Sequence, residues 1–311
     1  MQKIIDALGD AMWYAIFGSI QKLFEPLFRT WCAGIYNGIY DQFTTAMTNA
    51  DGNIQNGLTP LGGAVGIINA VSETVFTPIA VLILTAVICW EIISMVVESN
   101  NMHEFDVGFF IKVFIKAGLG VLVLSHASDI VQGIFETGNI LATQVRGAAM
   151  AGITFPVQNT AHNFKNFEAN ELVPLILLGL LLKLFIAVTS IIVFVIILNR
   201  MLELAIMIAV APLPLATAAN RAWGDVSKNF VKNLIALALQ GAIIILILGI
   251  MGALIMGNLD FTDVYTMSNA GDIDRVGIMY TRIFATMGWI VVLDIMMIKS
   301  SSIAKTICGA H

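Results

Sequence analysis

Charged residues are scarce in this sequence. Only 12% of its 311 residues are Asp, Glu, Lys or Arg, whereas 58% are hydrophobic. A soluble domain carries about 25% charged residues, because even a large apolar core needs a charged surface to stay dispersed. The shortage excludes an ordinary soluble globular protein and indicates a chain whose surroundings are themselves apolar.

Several residue patterns that carry chemistry are also missing. The three cysteines form no CxxC pair and the four histidines are dispersed, which argues against a disulfide framework or a zinc site. The net charge is −5 and no basic block occurs, so a nucleic-acid-binding surface is not indicated. The HExxH, GxSxG and GxxxxGKS motifs are absent. We therefore predict no enzymatic activity and no cofactor, and energy for any transport has to come from a partner or an ion gradient.

Long apolar runs are abundant. Residues 173–198 contain one charge, Lys183, and residues 234–257 contain none. Because about 20 apolar residues cross a bilayer core of about 30 Å, both runs predict transmembrane helices. Residues 172–218 would extend for about 70 Å as one helix, so we expect a corner at Asn199-Arg200. The sequence thus predicts an all-α, polytopic membrane protein with about six spans, near residues 75–97, 109–135, 172–198, 200–218, 233–257 and 277–298.

The first 50 residues show apolar positions at helical spacing, with aromatic residues of the kind found at membrane boundaries. We interpret them as an amphipathic interfacial helix pair broken near Glu25-Pro26, because proline lacks an amide donor. The alternative is a helix packed on the other spans. The predicted organisation has five parts: interfacial helices and a loop (1–65), spans 1 and 2 (66–135), a polar connection (136–171), spans 3 to 6 (172–300) and a cytoplasmic tail (301–311).

The lysine and arginine distribution predicts the orientation. With six spans, the side holding the N-terminal region, the 136–171 and 219–232 connections and the C-terminus carries most of these residues. The opposite side includes the acidic loop 258–275. The positive-inside rule then places the C-terminus in the cytoplasm. We expect insertion through internal spans without a cleavable signal peptide. The side of the membrane on which the N-terminus lies is left undecided, since a further crossing within residues 10–45 would place it outside.

Charges inside predicted spans are costly and therefore informative. Glu91 lies about 10 Å from the corner between spans 1 and 2, and Lys116 lies about 12 Å from the same corner on the next span. If the spans are antiparallel neighbours, the two side chains form an intramembrane pair, with Lys112 one turn nearer water. The alternative is that both lysines extend to the interface without a partner.

Three further charges and two prolines are candidate features of a pore, an interface or a break. Lys183 lies near the middle of span 3, and its partner could come from a pore, a neighbouring subunit, or a carboxylate such as Glu203 or Asp294. For these two carboxylates, simple pairing at the membrane boundary is the alternative to a proton relay. Pro212 and Pro214 end span 4 and predict a helix break.

One stretch carries a family resemblance. The string RMLELAIMIAVAPLPLA, which begins at Arg200, is followed by a polar segment with Trp223 and a long span containing glycine. This arrangement resembles the core of the VirB6/TrbL family, the polytopic inner components of type IV secretion systems, and the resemblance is best over about 170–300. The chain length and the amphipathic N-terminal region are similar to those of the short TrbL-like proteins of Gram-positive conjugative elements.

The resemblance implies an inner-membrane channel or scaffold subunit of a conjugative type IV secretion system that passes relaxase-bound single-stranded DNA between cells. The implied partners are a VirB4-like ATPase, VirB3-like and VirB8-like membrane proteins, the coupling ATPase and further copies of the chain in a homo-oligomer. The rival hypothesis is a secondary transporter of a small solute. It would need a polar site near mid-membrane and usually internal repeats, and we find no convincing repeat. A holin-like protein is disfavoured by the number of spans.

Overall fold

The structure is a computed structural model that describes residues 2–57, 59–98, 107–150, 164, 167, 169–220, 223–261, 264 and 275–310. Within these ranges the chain is helical with short turns and no strand, which confirms the all-α prediction. The α-helices are α1 (Gln2–Gln55), α2 (Ala64–Val71), α3 (Thr77–Glu98), α4 (Val107–Ser125), α5 (Ala127–Met150), α6 (Ala169–Val210), α7 (Pro212–Ala216), α8 (Gly224–Leu259) and α9 (Arg275–Cys308).

Four helical segments in the described ranges are long and apolar enough to cross a membrane. They are Ala64–Ser94, Glu171–Val210, Gly224–Leu259 and Val276–Cys308. A fifth crossing is added if the pair Val113–Ser125 and Ala127–Ala149, bent by 66°, counts as one span. The prediction of a polytopic helical membrane protein is confirmed, with four or five candidate spans where the sequence predicts about six.

The predicted corner at Asn199-Arg200 is wrong. Helix α6 runs through these two residues without a break. The whole helix has 42 residues, a length of about 63 Å. Two adjacent polar residues suggested a turn toward water, but Arg200 is only 1% exposed. Its guanidinium is hydrogen-bonded to protein groups, so the polar side chain does not require the helix to end there. Predicted spans 3 and 4 are therefore parts of one helix.

The N-terminal region is one helix rather than a pair broken at Pro26. Helix α1 runs from Gln2 to Gln55 with Pro26 inside it. Proline removes one backbone hydrogen bond, and two contacts support the turn that follows. The hydroxyl of Thr30 donates to the Pro26 carbonyl at 2.8 Å, and Arg29 pairs with Glu25 at 3.2 Å. Between residues 32 and 47, α1 buries one face, at positions 32, 33, 36, 39, 40, 43 and 47.

Two predicted loops are described only in part. The predicted polar connection 136–171 begins inside α5, which ends at Met150, and residues 151–163 lie outside the described ranges. In the acidic loop 258–275, Asp260 is described, whereas Asp263, Asp272 and Asp274 lie outside. The Lys112 side chain, part of the predicted charge group, also lies outside the described residues.

The chain divides into two compact units. The first contains residues 1–49, 152–193 and 248–295. In it, the Tyr36 hydroxyl donates to the Leu175 carbonyl at 3.3 Å, and its ring contacts those of Phe164 and Phe261. The Tyr40 hydroxyl donates to the Leu259 carbonyl. Burial, together with the nearby Asp260 charge, raises the pKa of Tyr40.

The second unit contains residues 50–151, 194–247 and 296–311. One of its apolar clusters combines buried side chains of α5, α6, α7 and α8, together with the turn residue Ala211 (Ala127, Val131, Phe135, Leu204, Ile208, Ala211, Leu215, Leu234 and Leu237). A smaller cluster joins Ala80 and Leu84 of α3 to Leu124 and Ala216. Close backbone approach assists this packing, because a Cβ atom at Gly138 of α5 would lie 2.7 Å from the carbonyl oxygen of Ala238.

Replacing Gly138 by alanine is expected to destabilise the second unit. The new Cβ would meet the backbone of Ala238, which cannot move aside as a flexible side chain can, so we expect a loss of about 1–3 kcal/mol. Thermal unfolding of the detergent-solubilised protein measures it. Gly133→Ala and Gly147→Ala are matched controls on the same helix, since a Cβ there meets nothing within 4 Å. Both should gain up to about 1 kcal/mol from helix propensity. A Gly138→Ala protein as stable as these controls would contradict the close approach.

Candidate functional site

The second unit contains a buried arginine, Arg200. The Nε atom of Arg200 donates to the Leu237 carbonyl at 3.1 Å. Its Nη2 atom donates to the Ala238 carbonyl and to Asn139 Oδ1, both at 3.4 Å. The guanidinium carbon lies 4.5 Å from the centre of the Phe135 ring, which is cation–π distance. Every one of these partners is neutral.

The positions of these partners follow from helical periodicity. Phe135 and Asn139 are four residues apart on α5, so they lie on the same helix face. On α8, Leu237 and Ala238 supply carbonyl groups that already belong to the helix, and each oxygen can accept a second hydrogen bond. Gly241, one turn later, makes room, because a Cβ there would lie 2.8 Å from the Arg200 guanidinium carbon.

In the described part of the chain, no carboxylate contact balances the charge of Arg200. Among the described residues, the ion pairs do not include Arg200. Its Nη1 atom is buried and has no hydrogen-bond partner among the described residues. An arginine in a low-dielectric interior is costly unless neighbouring groups offset its charge. The site therefore holds a positive charge that, among the described residues, is stabilised by dipoles and a ring face.

A cavity of about 540 Å³ adjoins this arginine site. Phe135 and Asn139, which contact Arg200, also line the cavity, as does Leu204 one turn along α6. Its polar lining comes from the end of α1, the following turn and α5 (Gln55, Asn56, Thr59, Gln132, Glu136 and Asn139). The end of α1 is held by Asp51, which accepts from Gln55 at 2.8 Å and pairs with Arg146 at 2.8 Å.

The charge pair singled out in the sequence lies in the same unit. The Nζ atom of Lys116 on α4 contacts Oε1 of Glu91 on α3. The Glu91 side chain is 13% exposed and that of Lys116 is 44% exposed. Both helices belong to candidate spans. The exposed part of the pair therefore lies on the surface of segments that are long and apolar enough to cross a membrane.

The structure does not join the other predicted charges into one group. In the first unit, the Lys183 Nζ atom lies 3.0 Å from the position that a Cβ at Gly38 would occupy, so the lysine packs against α1 where α1 has no side chain. Asp294 Oδ2 accepts a hydrogen bond from Thr189 at 3.1 Å, while its Oδ1 atom is buried without a partner among the described residues. In the second unit, Glu203 approaches Lys305 at 3.8 Å.

The two prolines lie where the long helix ends. Helix α6 stops at Val210, Ala211 forms a turn, and Pro212 occupies the first position of the short helix α7, followed by Pro214. Proline suits a first helical position, because the amide it lacks would have no partner there. The Leu215 amide donates to the Ala211 carbonyl at 3.3 Å. This i to i−4 hydrogen bond links α7 to the turn residue that follows α6.

Residues 52–212 match the sequence model of the TrbL/VirB6 plasmid conjugal transfer like protein family. The match covers just over half of the 311 residues. The chain belongs to the TrbL/VirB6 family. As a member, it is a structural conjugal transfer component that associates with other type IV secretion components. Searches of curated proteins and of solved structures give no match.

The TrbL/VirB6 match starts and ends earlier than the region of about 170–300 on which the resemblance rested. It includes Phe135, Asn139 and Arg200, together with the Glu91–Lys116 pair and Pro212. Most of the cavity and the arginine site are thus built from the family-matched part of the chain, and α8 completes the site with the two carbonyl acceptors and Gly241.

Proposed function

We propose that this TrbL/VirB6 protein is a channel or scaffold subunit of a conjugative type IV secretion system, located in the cell membrane. In this role it supports the transfer of relaxase-bound single-stranded DNA between cells. The observation that carries the proposal is the family match over residues 52–212. The candidate membrane spans support it, because a subunit of a transfer channel has to be anchored in the bilayer.

The proposed partners supply what a scaffold does not. A VirB4-like ATPase and the coupling ATPase provide energy, VirB3-like and VirB8-like membrane proteins complete the inner-membrane assembly, and copies of the chain form a homo-oligomer. The continuous helices α6, α8 and α9, each of 34 residues or more, offer long surfaces for such assembly. Exposed apolar residues along them fit contact with lipid or with other membrane helices.

A mating experiment tests this function. Deleting the gene from a donor strain should abolish transfer of the conjugative element while leaving growth unchanged, and wild-type protein supplied in trans should restore transfer. The level of the VirB4-like ATPase in the membrane serves as a control for polar effects on neighbouring genes. Unchanged transfer after deletion would overturn the proposal. Flux of a small solute through proteoliposomes holding the purified protein alone would instead support the transporter hypothesis.

We also propose that the C-terminus lies in the cytoplasm. The N-terminal part of α8 contacts the residue that follows α9 in the second unit, since Lys232 donates to the Gly309 carbonyl at 3.4 Å. Lys228 and Lys305 belong to the same two helix ends. The loop that joins the other ends of α8 and α9 is acidic. The positive-inside rule assigns the lysine-rich end to the cytoplasm.

Labelling of Cys308 by a membrane-impermeant maleimide is expected in inside-out vesicles and not in intact cells. Cys308 is the half-buried last residue of α9. The thiols of the other two cysteines, Cys32 and Cys89, should not be labelled. Burial raises the pKa of Cys32 to about 12, so almost none of it is the reactive thiolate at pH 7, and Cys89 lies inside a candidate span. Cys308→Ala is the control and should remove the signal. Labelling of Cys308 in intact cells would reverse the proposed orientation.

A further inference from the structure

The cavity beside Arg200 offers hydrogen-bonding groups whose orientation is fixed by contacts outside it. The Asn139 oxygen Oδ1 accepts from Arg200, so the other end of this amide is the Nδ2 donor. Nδ2 lies 3.2 Å from the position of a Cβ at Gly57, a residue that also lines the cavity. Gly57 has a φ of +55°, a conformation that favours glycine, so this wall stays open beside the donor. Asn139 thus presents a donor to the cavity.

A second amide is oriented in the opposite sense. Gln55 donates its Nε2 atom to Asp51, which Arg146 holds in place. The Gln55 oxygen Oε1 is then the group left for a ligand. Glu136, on the α5 side of the cavity, adds a carboxylate. The lining therefore combines acceptors, at Gln55 and Glu136, with a donor at Asn139.

Charges of both signs lie at or beside the cavity. Arg200 lies directly behind Phe135 and Asn139, and no carboxylate among the described residues pairs with it. Its field is weakly screened in a protein interior and favours negative charge on the Asn139 side of the cavity. Glu136, an exposed carboxylate one turn before Asn139 on α5, favours a positive charge beside it. A ligand carrying both charges satisfies this lining better than a simple anion or cation does.

The rest of the lining is apolar and belongs to candidate membrane spans. Val65 lies at the start of the segment Ala64–Ser94, and Leu204 lies near the end of Glu171–Val210. Phe135 is part of the bent helix pair. A cavity with polar groups from α1, the following turn and α5, and apolar groups from candidate spans, suits a molecule with a charged head and an apolar tail. Its volume is within the range of about 300–1,000 Å³ that is usual for small-molecule sites.

We propose that this cavity binds a phosphoethanolamine group, with the phosphate toward Asn139 and Arg200 and the ammonium toward Glu136 and Gln55. A membrane lipid, phosphatidylethanolamine, is the source that the apolar lining favours. Primary ammonium suits the site, because its N–H groups can donate to the carboxylate and the amide oxygen, whereas the quaternary ammonium of phosphatidylcholine has no such donors. The lipid proposal does not rest on the proposed role of the protein in DNA transfer.

Lipid retention tests the proposal. The full-length protein is reconstituted with equal amounts of phosphatidylethanolamine and phosphatidylglycerol, extracted into mild detergent, and analysed by native mass spectrometry. We expect wild-type protein to retain phosphatidylethanolamine preferentially. Glu136→Gln keeps the size of the side chain and removes its charge, and should weaken this retention about tenfold, as expected for the loss of one charge-assisted contact. Asp129→Asn, an exposed position on the same helix that does not line the cavity, is the matched control and should bind like wild type.

A second variant acts on the opposite end of the ligand. Asn139→Asp gives Arg200 a carboxylate partner, so the fold should be kept, while the donor to the cavity is lost and the field of Arg200 is neutralised. Retention of phosphatidylethanolamine should again fall. Equal retention of the two lipids by wild-type protein, or unchanged retention in both variants, would overturn the proposal.

A soluble arm of the experiment identifies the source of the group. Lipid-free protein in detergent is titrated with phosphoethanolamine and, separately, with inorganic phosphate. If phosphoethanolamine binds weakly and Glu136→Gln abolishes this binding, the compound binds at the proposed cavity. If phosphoethanolamine at millimolar concentration also displaces the lipid, the soluble compound is assigned as the source of the group. Tighter binding of phosphate than of phosphoethanolamine contradicts a zwitterionic site.

Discussion

Replacing Arg200 by alanine is expected to prevent this protein from accumulating as a stable, monodisperse species. The substitution removes the donor to the Leu237 and Ala238 carbonyls and to Asn139, and leaves a void under the Phe135 ring. The lost hydrogen bonds of a charged group and the cavity left by a large buried side chain are together expected to cost about 3–5 kcal/mol, which is a large part of the stability of a typical domain. Size-exclusion chromatography and thermal unfolding of the detergent-solubilised protein measure the effect.

Two comparisons show whether the arginine contacts cause this loss. Lys228→Ala removes an exposed cation from an i,i+3 surface pair with Asp225, so we expect almost no change. Gly241→Ala adds a Cβ that would lie 2.7 Å from the Arg200 Nη2 atom, so it should destabilise the wild type. In the Arg200→Ala background the guanidinium is gone, and the same glycine substitution should cost little. Additive costs in this double-mutant cycle would show that the two residues do not interact.

Reversing one charge of the Glu91–Lys116 pair is expected to impair assembly, and reversing both is expected to restore it. Glu91→Lys would bring two ammonium groups together in a segment that crosses the membrane, where water screens them poorly. We expect a loss of about 3 kcal/mol for either single reversal. Glu91→Lys combined with Lys116→Glu recreates the pair with opposite polarity, and the protein should return to within about 1 kcal/mol of wild type.

A matched reversal on the same segment provides the control for the pair. Glu73 is exposed in the first third of the candidate span that also contains Glu91, so Glu73→Lys tests a charge reversal at another exposed position of the same helical run. We expect little change in the membrane level of this variant, measured by quantitative immunoblotting. If the double variant at positions 91 and 116 accumulates no better than the two single variants, the lysine simply extends to the interface and the pair has no energetic role.

The features that depend on local sequence were predictable. Hydropathy alone identifies the membrane class, because an uncharged apolar run as long as 234–257 is typical of a helix that crosses a bilayer. The depth argument placed Glu91 and Lys116 at similar height on neighbouring helices, and their side chains are in contact in the structure. The end of α6 at Val210 agrees with the proline pattern, since backbone chemistry at proline is decided within a few residues.

The features that depend on distant residues were not predictable. Arg200 looked like the polar corner of a hairpin because its acceptors, at positions 139, 237 and 238, lie far away in the chain. The isolated charge inside an apolar run was the available signal, and its interpretation required knowing which helices pack beside it. The break predicted at Pro26 was wrong for a related reason, because it was inferred from one missing hydrogen bond without the contacts of Thr30 and Arg29 that follow it.

The order in which the chain is made gives the arginine site a consequence for biogenesis. Leu237 follows Arg200 by 37 residues, so at about 5–20 residues per second its carbonyl appears about 2–7 s later. Until then α6 carries an arginine with part of its final partners, at an insertion cost of up to about 3 kcal/mol. Phe135 and Asn139 are already available during this interval. Helix α6 should therefore remain near the insertion machinery with α5 and enter the bilayer fully only when α8 arrives, which couples the membrane integration of these two long helices.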